Sequence, residues 1–314
     1  MMRISLHILP RPPFRLDYTV WALRRQPHNR IDQWDGKTYQ RVFVLEDKPL
    51  LVKVTEDGSA EKPRLSVLVS GRSITSEERT KRAVIALLKK VLGTSEDVQE
   101  FYRIARKHAG LNALANDFLG LKPPRFPSVF EALINAFACQ QLSLNVGITL
   151  LNRLSETYGA SVENGGDPIN AFPAPEELAD AKASDIRKLG FSSNKARAIT
   201  GLARSVLGKE VDLEGMAGMT DSEAADELGE IMGVGRWTAE YVLLRGLRRL
   251  AVFPGDDVGA QNNLQRFFRL KKKPDYAAIQ RLMLRWKPYS GFVYFHFLLQ
   301  KLRTQGLLES VASE

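Results

Sequence analysis

Two short motifs within residues 221–261 carry the groups best suited to chemistry. The first is Gly233-Val234-Gly235, which separates two helical patterns. Two glycines let the backbone turn sharply and approach another molecule closely. The free N–H groups at the start of the second helix favour an anion such as phosphate, and Arg236 and Lys195 would add positive charge. The alternative is a plain corner between two helices, in which the glycines only reverse the chain.

The second motif is VFPGDD (252–257), an apolar loop that ends in two adjacent acids directly before a helical pattern. Asp256 or Asp257 is well placed to cap that helix, and capping alone is one explanation of the pair. The amino terminus of a helix also stabilises a negative charge. A carboxylate held there suits the stabilisation of a developing cation or the orientation of a water molecule.

The elements that position these motifs change character near residue 75. Residues 1–74 contain runs with period-two alternation, a short helical stretch at 17–25 and a hairpin turn signal at 46–49. After Gly71 the apolar residues recur at helical spacing as far as residue 304, and no strand pattern of comparable quality reappears. We therefore predict an α+β protein, with a small amino-terminal antiparallel β domain followed by a mostly α-helical unit.

Composition narrows the class of protein. A chain of 314 residues suggests two compact units or one large one. Its 45 Lys and Arg exceed its 36 Asp and Glu, so the net charge of +9 favours binding to polyanions, with nucleic acid first and an acidic membrane second.

A single cysteine, Cys139, excludes an intramolecular disulfide framework and a Cys-ligated metal cluster, and we expect it to be a buried, inert thiol. No apolar run reaches membrane-spanning length, which favours a protein of a reducing intracellular compartment.

The combined motifs resemble a known superfamily. A helix–GVG–helix followed about twenty residues later by an apolar loop with two acids is similar to the helix-hairpin-helix DNA glycosylases. Within them, GVGRWTAEY, the Asp pair and RWKP (285–288) resemble the DNA-3-methyladenine glycosylase II family. The resemblance covers nearly the whole chain. It implies an amino-terminal β domain at 1–74, a helical subdomain at 75–127 plus 248–314 that carries the catalytic Asp, and a second helical subdomain at 128–247 with the hairpin.

The resemblance assigns the catalytic residue. Asp257, the second acid of the loop, matches the family's catalytic aspartate, and Asp256 matches its structural neighbour. Trp237 occupies the position at which bifunctional relatives carry a lysine nucleophile. Schiff-base chemistry is therefore not expected for this chain.

The same resemblance assigns the base pocket. Trp237 and Tyr241 match pocket aromatics, although two rings four residues apart on one helix face are also typical of a core. Leu298 stands where some relatives carry a tryptophan, soon after the position of His296. We expect a less aromatic wall there, with Trp21 of the amino-terminal domain as the candidate for the missing ring.

Further residues are assigned to DNA and to a cation by the resemblance. Gln141 and Leu142 match residues that enter the minor groove, with Leu142 as the wedge that fills the gap left by the flipped base. The predicted DNA-binding set is Gln141, Leu142, Gly233, Gly235, Arg236 and Thr238. The backbone carbonyls of Gly229, Ile231 and Val234 match those that hold Na⁺ or K⁺ in family members, and no other cofactor is expected.

The function predicted on these grounds is monofunctional hydrolysis of the N-glycosidic bond of alkylated bases, of the 3-methyladenine type, in base excision repair. The alternatives are the same fold acting on oxidised or deaminated bases, and a non-catalytic helix-hairpin-helix DNA-binding protein. The expected partner is damaged double-stranded DNA and not a membrane. We predict a monomer located in the cytoplasm, at the nucleoid, or in a nucleus, and not secreted.

Overall fold

The computed structural model describes residues 2–72, 74 and 76–308. Five antiparallel strands near the amino terminus form a sheet in the spatial order β1-β5-β4-β3-β2. The strands are β1 (Met2–Ile8), β2 (Gln33–Trp34), β3 (Thr38–Leu45), β4 (Lys48–Glu56) and β5 (Leu65–Gly71). One helix, α1 (Leu16–Arg24), packs on this sheet. The predicted amino-terminal antiparallel sheet with one helix is confirmed.

Alternation in the sequence becomes a buried and an exposed face of the sheet. In β1 the side chains of Ile4, Leu6 and Ile8 are buried, whereas the intervening residues are exposed, as a period of two requires. The hairpin turn predicted at 46–49 is also confirmed. Glu46 and Asp47 both have positive φ and connect β3 to β4, which is the geometry that suits the twist of a two-residue hairpin.

The rest of the described chain is mainly helical. The helices are α2 (Glu77–Leu92), α3 (Gln99–Ala105), α4 (Ala109–Asp117), α5 (Val129–Cys139), α6 (Leu144–Tyr158), α7 (Pro175–Ala179), α8 (Ala183–Lys188), α9 (Ser193–Leu207), α10 (Asp221–Gly229), α11 (Arg236–Arg245), α12 (Val258–Phe267), α13 (Tyr276–Met283) and α14 (Ser290–Thr304). Among the residues that the structure describes, no helix combines the length and hydrophobicity needed to cross a membrane.

The helical part, mostly α-helical as predicted, also contains a small pair of strands. Two short strands, β6 (Ser161–Val162) and β7 (Ile169–Asn170), pair between α6 and α7. Val162 and Ile169 are buried in a small cluster with Val42 and Leu51 of the main sheet. Strands of two residues are too short to show alternation in the sequence, so their pairing depends on this tertiary contact.

Two hydrophobic cores meet at α1. The first core joins the sheet to α2, α5, α6, α9 and α11, and the second joins α3, α4, α12, α13 and α14. α1 contributes to both, because its Val20 lies in the first core and its Tyr18 lies in the second. The helix thus fixes the sheet against both helical parts. The predicted domain limits stay a prediction.

A buried ionic network also ties the sheet to α5. The guanidinium of Arg41 in β3 is 2.9 Å from Asp32 and 2.6 Å from Glu131 of α5, and all three side chains are at most 5% exposed. The hydroxyl of Tyr39 donates to Asp32 as well. Burial raises the pKa of Glu131, and Arg41 opposes that rise. The network therefore locks the orientation of the helix that leads into the candidate site.

Candidate active site

A cavity of about 920 Å³ lies where five segments of the chain meet. Its walls come from the end of α1, the α5–α6 loop, the hairpin before α11 together with that helix, the start of α12, and one face of α14. Ligand pockets typically measure about 300–1,000 Å³. The predicted site residues on its wall are Gln141, Leu142, Gly233, Gly235, Arg236, Trp237, Thr238, Tyr241 and Asp257.

Asp257 caps a helix and also lines this cavity. It is the N-cap of α12, where its Oδ1 accepts the N–H of Ala260 at 2.8 Å. Its other oxygen, Oδ2, accepts the indole N–H of Trp237 at 3.2 Å and the hydroxyl of Tyr294 at 3.3 Å. Asp257 therefore does cap α12, but through Oδ1 alone, and its Oδ2 lies among the side chains of the cavity. The helix amino terminus stabilises the negative charge of the carboxylate.

Asp256 has a different environment. Its Oδ2 is 2.7 Å from Nε of Arg236 at the start of α11. The guanidinium of Arg236 also lies 3.8 Å from the ring centroid of Tyr276 in α13. Asp256 thus links the acidic loop to the hairpin helix, which fits the structural role predicted for it. Arg236 itself is still 58% exposed and borders the cavity.

Aromatic rings form one wall of the cavity. Trp237 and Tyr241 lie one helical turn apart on α11, with ring centroids 5.3 Å apart and an interplanar angle of 30°. On α14, Tyr294 and Leu298 also border the cavity. Burial raises the pKa of Tyr294 well above its ordinary value, and neighbouring Asp257 adds to this rise. The phenol therefore stays protonated and donates a hydrogen bond to Asp257. Leu298 leaves that part of the wall aliphatic, as expected.

The assignment of Trp21 to the pocket is a wrong prediction. Trp21 is 9% exposed and packs in the second core, with the guanidinium of Arg24 at 5.0 Å from its ring. The residue of the amino-terminal part that lines the cavity is Arg25, which follows α1 in a left-handed conformation. The turn at the end of the helix directs Arg25 and not Trp21 toward the site.

Arg25 was not found from the sequence. Its Nη1 donates to the hydroxyl of Tyr241 at 2.8 Å, and its Nη2 donates to Oδ1 of Asn135 at 2.6 Å. The side chain is 4% exposed, which is rare for arginine unless it is paired. Arg25 stands beside a second arginine in the sequence, where charges usually indicate a solvated surface, so no local signal identifies it.

The α5–α6 loop places the predicted wedge at the cavity mouth. Leu142 is 44% exposed, a high value for a leucine, and it borders the cavity. Gln141 precedes it in a left-handed conformation with φ 55°. The neighbouring Gln140 was not predicted, yet its amide donates at 2.8 Å both to the carbonyl of Gly233 and to Oγ1 of Thr238. The wedge loop and the hairpin are therefore held together.

Three side chains near this loop have surroundings that the sequence did not indicate. Thr238 is 1% exposed and its Oγ1 accepts from Gln140, so its hydroxyl joins two protein segments, and its predicted contact with DNA stays a prediction. The ammonium of Lys195 donates to the carbonyl of Gln140 at 2.6 Å and supports the loop. Cys139, expected to be fully buried, is partly exposed and borders the cavity.

The hairpin has the predicted helix–turn–helix form. α10 ends at Gly229 and α11 begins at Arg236. Gly233 has φ +89°, a conformation that L side chains rarely adopt, whereas Gly235 is extended and has no atom near the position of a Cβ. The open space at Gly235 leaves the amino-terminal N–H groups of α11 accessible to a phosphate.

Gly229, Ile231 and Val234 also lie in or beside the hairpin. The carbonyl of Ile231 accepts the N–H of Val234 at 3.0 Å, which closes a tight turn. Neutral carbonyl oxygens are suitable ligands for a hard cation, and a carbonyl has two lone pairs. These residues therefore fit a Na⁺ or K⁺ ion, which stays a proposal.

Comparison with known proteins agrees with this fold. A family model described as HhH-GPD superfamily base excision DNA repair protein matches residues 134–288, which include the hairpin and Asp257. In this segment the chain is similar to the helix-hairpin-helix superfamily.

Individual relatives share most of the architecture. The chain is 29% identical to a DNA-3-methyladenine glycosylase of Bacillus subtilis over 283 residues, which cover 90% of this chain and 92% of the relative. It is 32% identical to DNA-3-methyladenine glycosylase 2 of Escherichia coli, over 56% of this chain and 59% of that one. A solved 3-methyladenine DNA-glycosylase of Archaeoglobus fulgidus superposes with a TM-score of 0.82 at 25% identity, covering 96% of this chain and all of that one.

Proposed function

We propose that this protein is a monofunctional DNA glycosylase that hydrolyses the N-glycosidic bond of alkylated bases, of the 3-methyladenine type, in base excision repair. The observation that carries the proposal is the carboxylate of Asp257, held at 3.2 Å from the indole of Trp237 on the wall of a cavity large enough for a nucleotide. The names of its relatives support the same activity.

The substrate is damaged double-stranded DNA, and the target nucleotide must leave the helix to reach Asp257. Flipping a nucleotide costs a few kcal/mol, and the cost is smaller at a weakened pair. Leu142 at the cavity mouth offsets part of this cost, because an exposed apolar side chain can occupy the vacated stack. The N–H groups after Gly235 and the net charge of +9 hold the phosphates.

The pocket suits a positively charged base. An N-alkylated purine is cationic, so its electron-poor face stacks favourably on the electron-rich rings of Trp237 and Tyr241. It departs as a neutral base, which makes it a good leaving group. The reaction therefore needs little general-acid catalysis.

Asp257 supplies the electrostatic part of the reaction. As the glycosidic bond breaks, positive charge develops on the sugar, and a fixed carboxylate stabilises it. The same group orients a water molecule for attack at C1′. Trp237 and Tyr294 hold Oδ2 in place by donating hydrogen bonds. The products are a free base and an abasic site.

The hairpin cation and the monomeric state are part of the proposal. A monovalent ion on the carbonyls of Gly229, Ile231 and Val234 would stabilise the turn that faces a phosphate. Replacing Na⁺ and K⁺ by choline at constant ionic strength should then weaken DNA binding while leaving the chemical step unchanged. Equal affinity in all three salts would remove the ion from the proposal. Sedimentation of the free protein tests the monomer.

The function is tested by incubating the purified protein with methylated duplex DNA and identifying the released bases by chromatography. We expect 3-methyladenine among the products. A parallel panel of duplexes with 8-oxoguanine or hypoxanthine tests the alternatives. Release of those bases without any methylated base would replace the proposed substrate class. DNA binding without release of any base would favour a non-catalytic protein.

A further inference from the structure

The backbone of Gly255, two residues before Asp257, is held by side chains from two helices. Oε2 of Glu240 in α11 accepts the N–H of Gly255 at 3.0 Å, and the amide of Gln261 in α12 donates to its carbonyl at 3.0 Å. The N–H of Asp257 donates to the carbonyl of Pro254 at 3.1 Å, so residues 254–257 form a turn around these two contacts. The position of this turn determines where Asp257 enters the cavity.

Glu240 is itself firmly placed. It is 9% exposed, and its second oxygen, Oε1, accepts the hydroxyl of Tyr276 at 2.6 Å. The ring of Tyr276 lies under the guanidinium of Arg236, which pairs with Asp256 on the same turn. An ionised carboxylate only accepts hydrogen bonds, so both oxygens of Glu240 are available to the N–H of Gly255 and the hydroxyl of Tyr276. The buried carboxylate is thus a fixed anchor for the loop.

Packing against Gly255 leaves the turn little freedom. A Cβ at this position would be 2.7 Å from the ring of Tyr276, which is closer than real contacts allow. The residue must be glycine for the loop to approach α13 this closely. The loop is therefore fixed by close packing as well as by hydrogen bonds to the N–H and the carbonyl of Gly255.

We propose that Glu240 is a positioning residue, which sets the location of the Asp257 carboxylate by holding the N–H of Gly255. The inference rests on the proposed glycosylase function. Among the described residues, Glu240 is not one of those that line the cavity. Its effect is transmitted through the turn, and a displacement of about 1 Å at a reacting group can lower a rate about 100-fold.

The test compares Glu240→Leu with Glu240→Gln. Leu cannot accept the Gly255 N–H, and we expect the single-turnover rate of 3-methyladenine release to fall by about 10- to 100-fold. Gln can accept that N–H through its oxygen and donate its amide to Tyr276, so it should restore most of the rate. The affinity for a duplex with an abasic-site analogue should stay within about twofold in both variants, since phosphate contacts dominate affinity.

A matched control separates positioning from general destabilisation. Ile279→Ala removes a fully buried side chain from α13, the helix of Tyr276, without touching the turn. It should lower Tm but leave the excision rate of the folded protein unchanged. Gln261→Met removes the second contact to Gly255 at a partly exposed position and should lower the excision rate less than Glu240→Leu. This variant provides the test if Glu240→Leu does not fold.

Three results would overturn the inference. The first is a normal excision rate in a folded Glu240→Leu variant, and the second, if that variant does not fold, is a normal excision rate in Gln261→Met. The third is an equal loss of excision rate in Glu240→Leu and Ile279→Ala when the two variants have the same Tm. Failure of the function itself is distinguishable, because the unmodified protein would then release no methylated base at all.

Discussion

The indole N–H of Trp237 points at the carboxylate of Asp257, with 3.2 Å between Nε1 and Oδ2. Trp237, which the resemblance places where bifunctional relatives are expected to carry a nucleophilic amine, thus holds the acid and offers no amine. The same contact joins the hairpin helix to the start of α12, so the parts proposed to bind phosphate and to stabilise charge are held together.

Replacing Asp257 by Asn should abolish base release. The loss of a charge-stabilising group in an enclosed site typically costs on the order of 100- to 1,000-fold in rate. Asn caps helices about as well as Asp, so stability should change by less than about 0.5 kcal/mol and DNA binding should persist. Single-turnover release, Tm and duplex affinity check the three statements.

Asp256→Asn is the matched variant for that test. It breaks the partly exposed pair with Arg236, which contributes at most about 1 kcal/mol. Stability should fall slightly and most of the excision rate should remain. If Asp256 proves indispensable and Asp257 dispensable, the catalytic assignment is wrong by one residue.

No covalent DNA adduct should form in the presence of borohydride, because Trp237 replaces the amine that would form a Schiff base. Among the described residues that line the cavity, Lys301 is the only lysine. Lys301→Ala is therefore the informative control. A trapped adduct that disappears in this variant would contradict monofunctional hydrolysis.

Leu142→Ala should slow excision from a fully paired duplex more than from a mismatched or single-stranded lesion. The reason is that the wedge offsets the cost of unstacking, which is smaller at weakened pairs. The chemistry at Asp257 should be unaffected. Comparable slowing on every substrate would show instead that Leu142 acts as an ordinary pocket residue.

Gly235→Leu should weaken binding to all duplexes alike, with or without a lesion. Its extended backbone and open surroundings accept a side chain, so the main cost to the fold is a poorer helix cap of about 1 kcal/mol. The new side chain stands where a phosphate must approach. Gly166→Leu, also in open space but in the β6–β7 loop, should bind normally. Titrations at several salt concentrations make the comparison.

Arg25→Met should lower the excision rate by about tenfold, because a hydrogen bond from a charged group contributes about 1.5–3 kcal/mol and Tyr241 would lose its support. A double-mutant cycle with Tyr241→Phe measures the relationship. We expect the two effects to be non-additive, as contacting residues usually are. If the two changes in activation free energy, taken from the single-turnover rates, simply add, Arg25 does not act through Tyr241.

Local signals were sufficient for the hairpin and for an acid at the start of α12, whereas the choice of Asp257 over Asp256 depends on the resemblance. Glycines at a turn and an acid before a helix leave a clear pattern over a few residues, and the periodic strands of the sheet do the same. α4 has no such signal, because its sequence AGLNALAND has only a weak apolar face.

The remaining site residues depend on contacts across the chain. Arg25 meets Tyr241 across 216 positions, and Tyr276 meets Glu240 across 36. No pattern within one element indicates such a partner. Trp21 was misassigned for the same reason, since the rotation of α1 relative to the cavity is decided by two cores and not by the helix itself.

The ionic network of Arg41, Asp32 and Glu131 bears on modularity. If the helical part were expressed without the sheet, Glu131 would keep its position on α5 but lose its counter-charge. Removing one partner of a buried pair typically costs about 3–5 kcal/mol, a large part of the stability of most domains. Asp257, the proposed catalytic residue, lies in the helical part of the chain, yet that part carries at Glu131 a buried charge that pairs with Arg41 of the sheet. A shortened enzyme would therefore need an apolar residue at position 131 before it could stand alone.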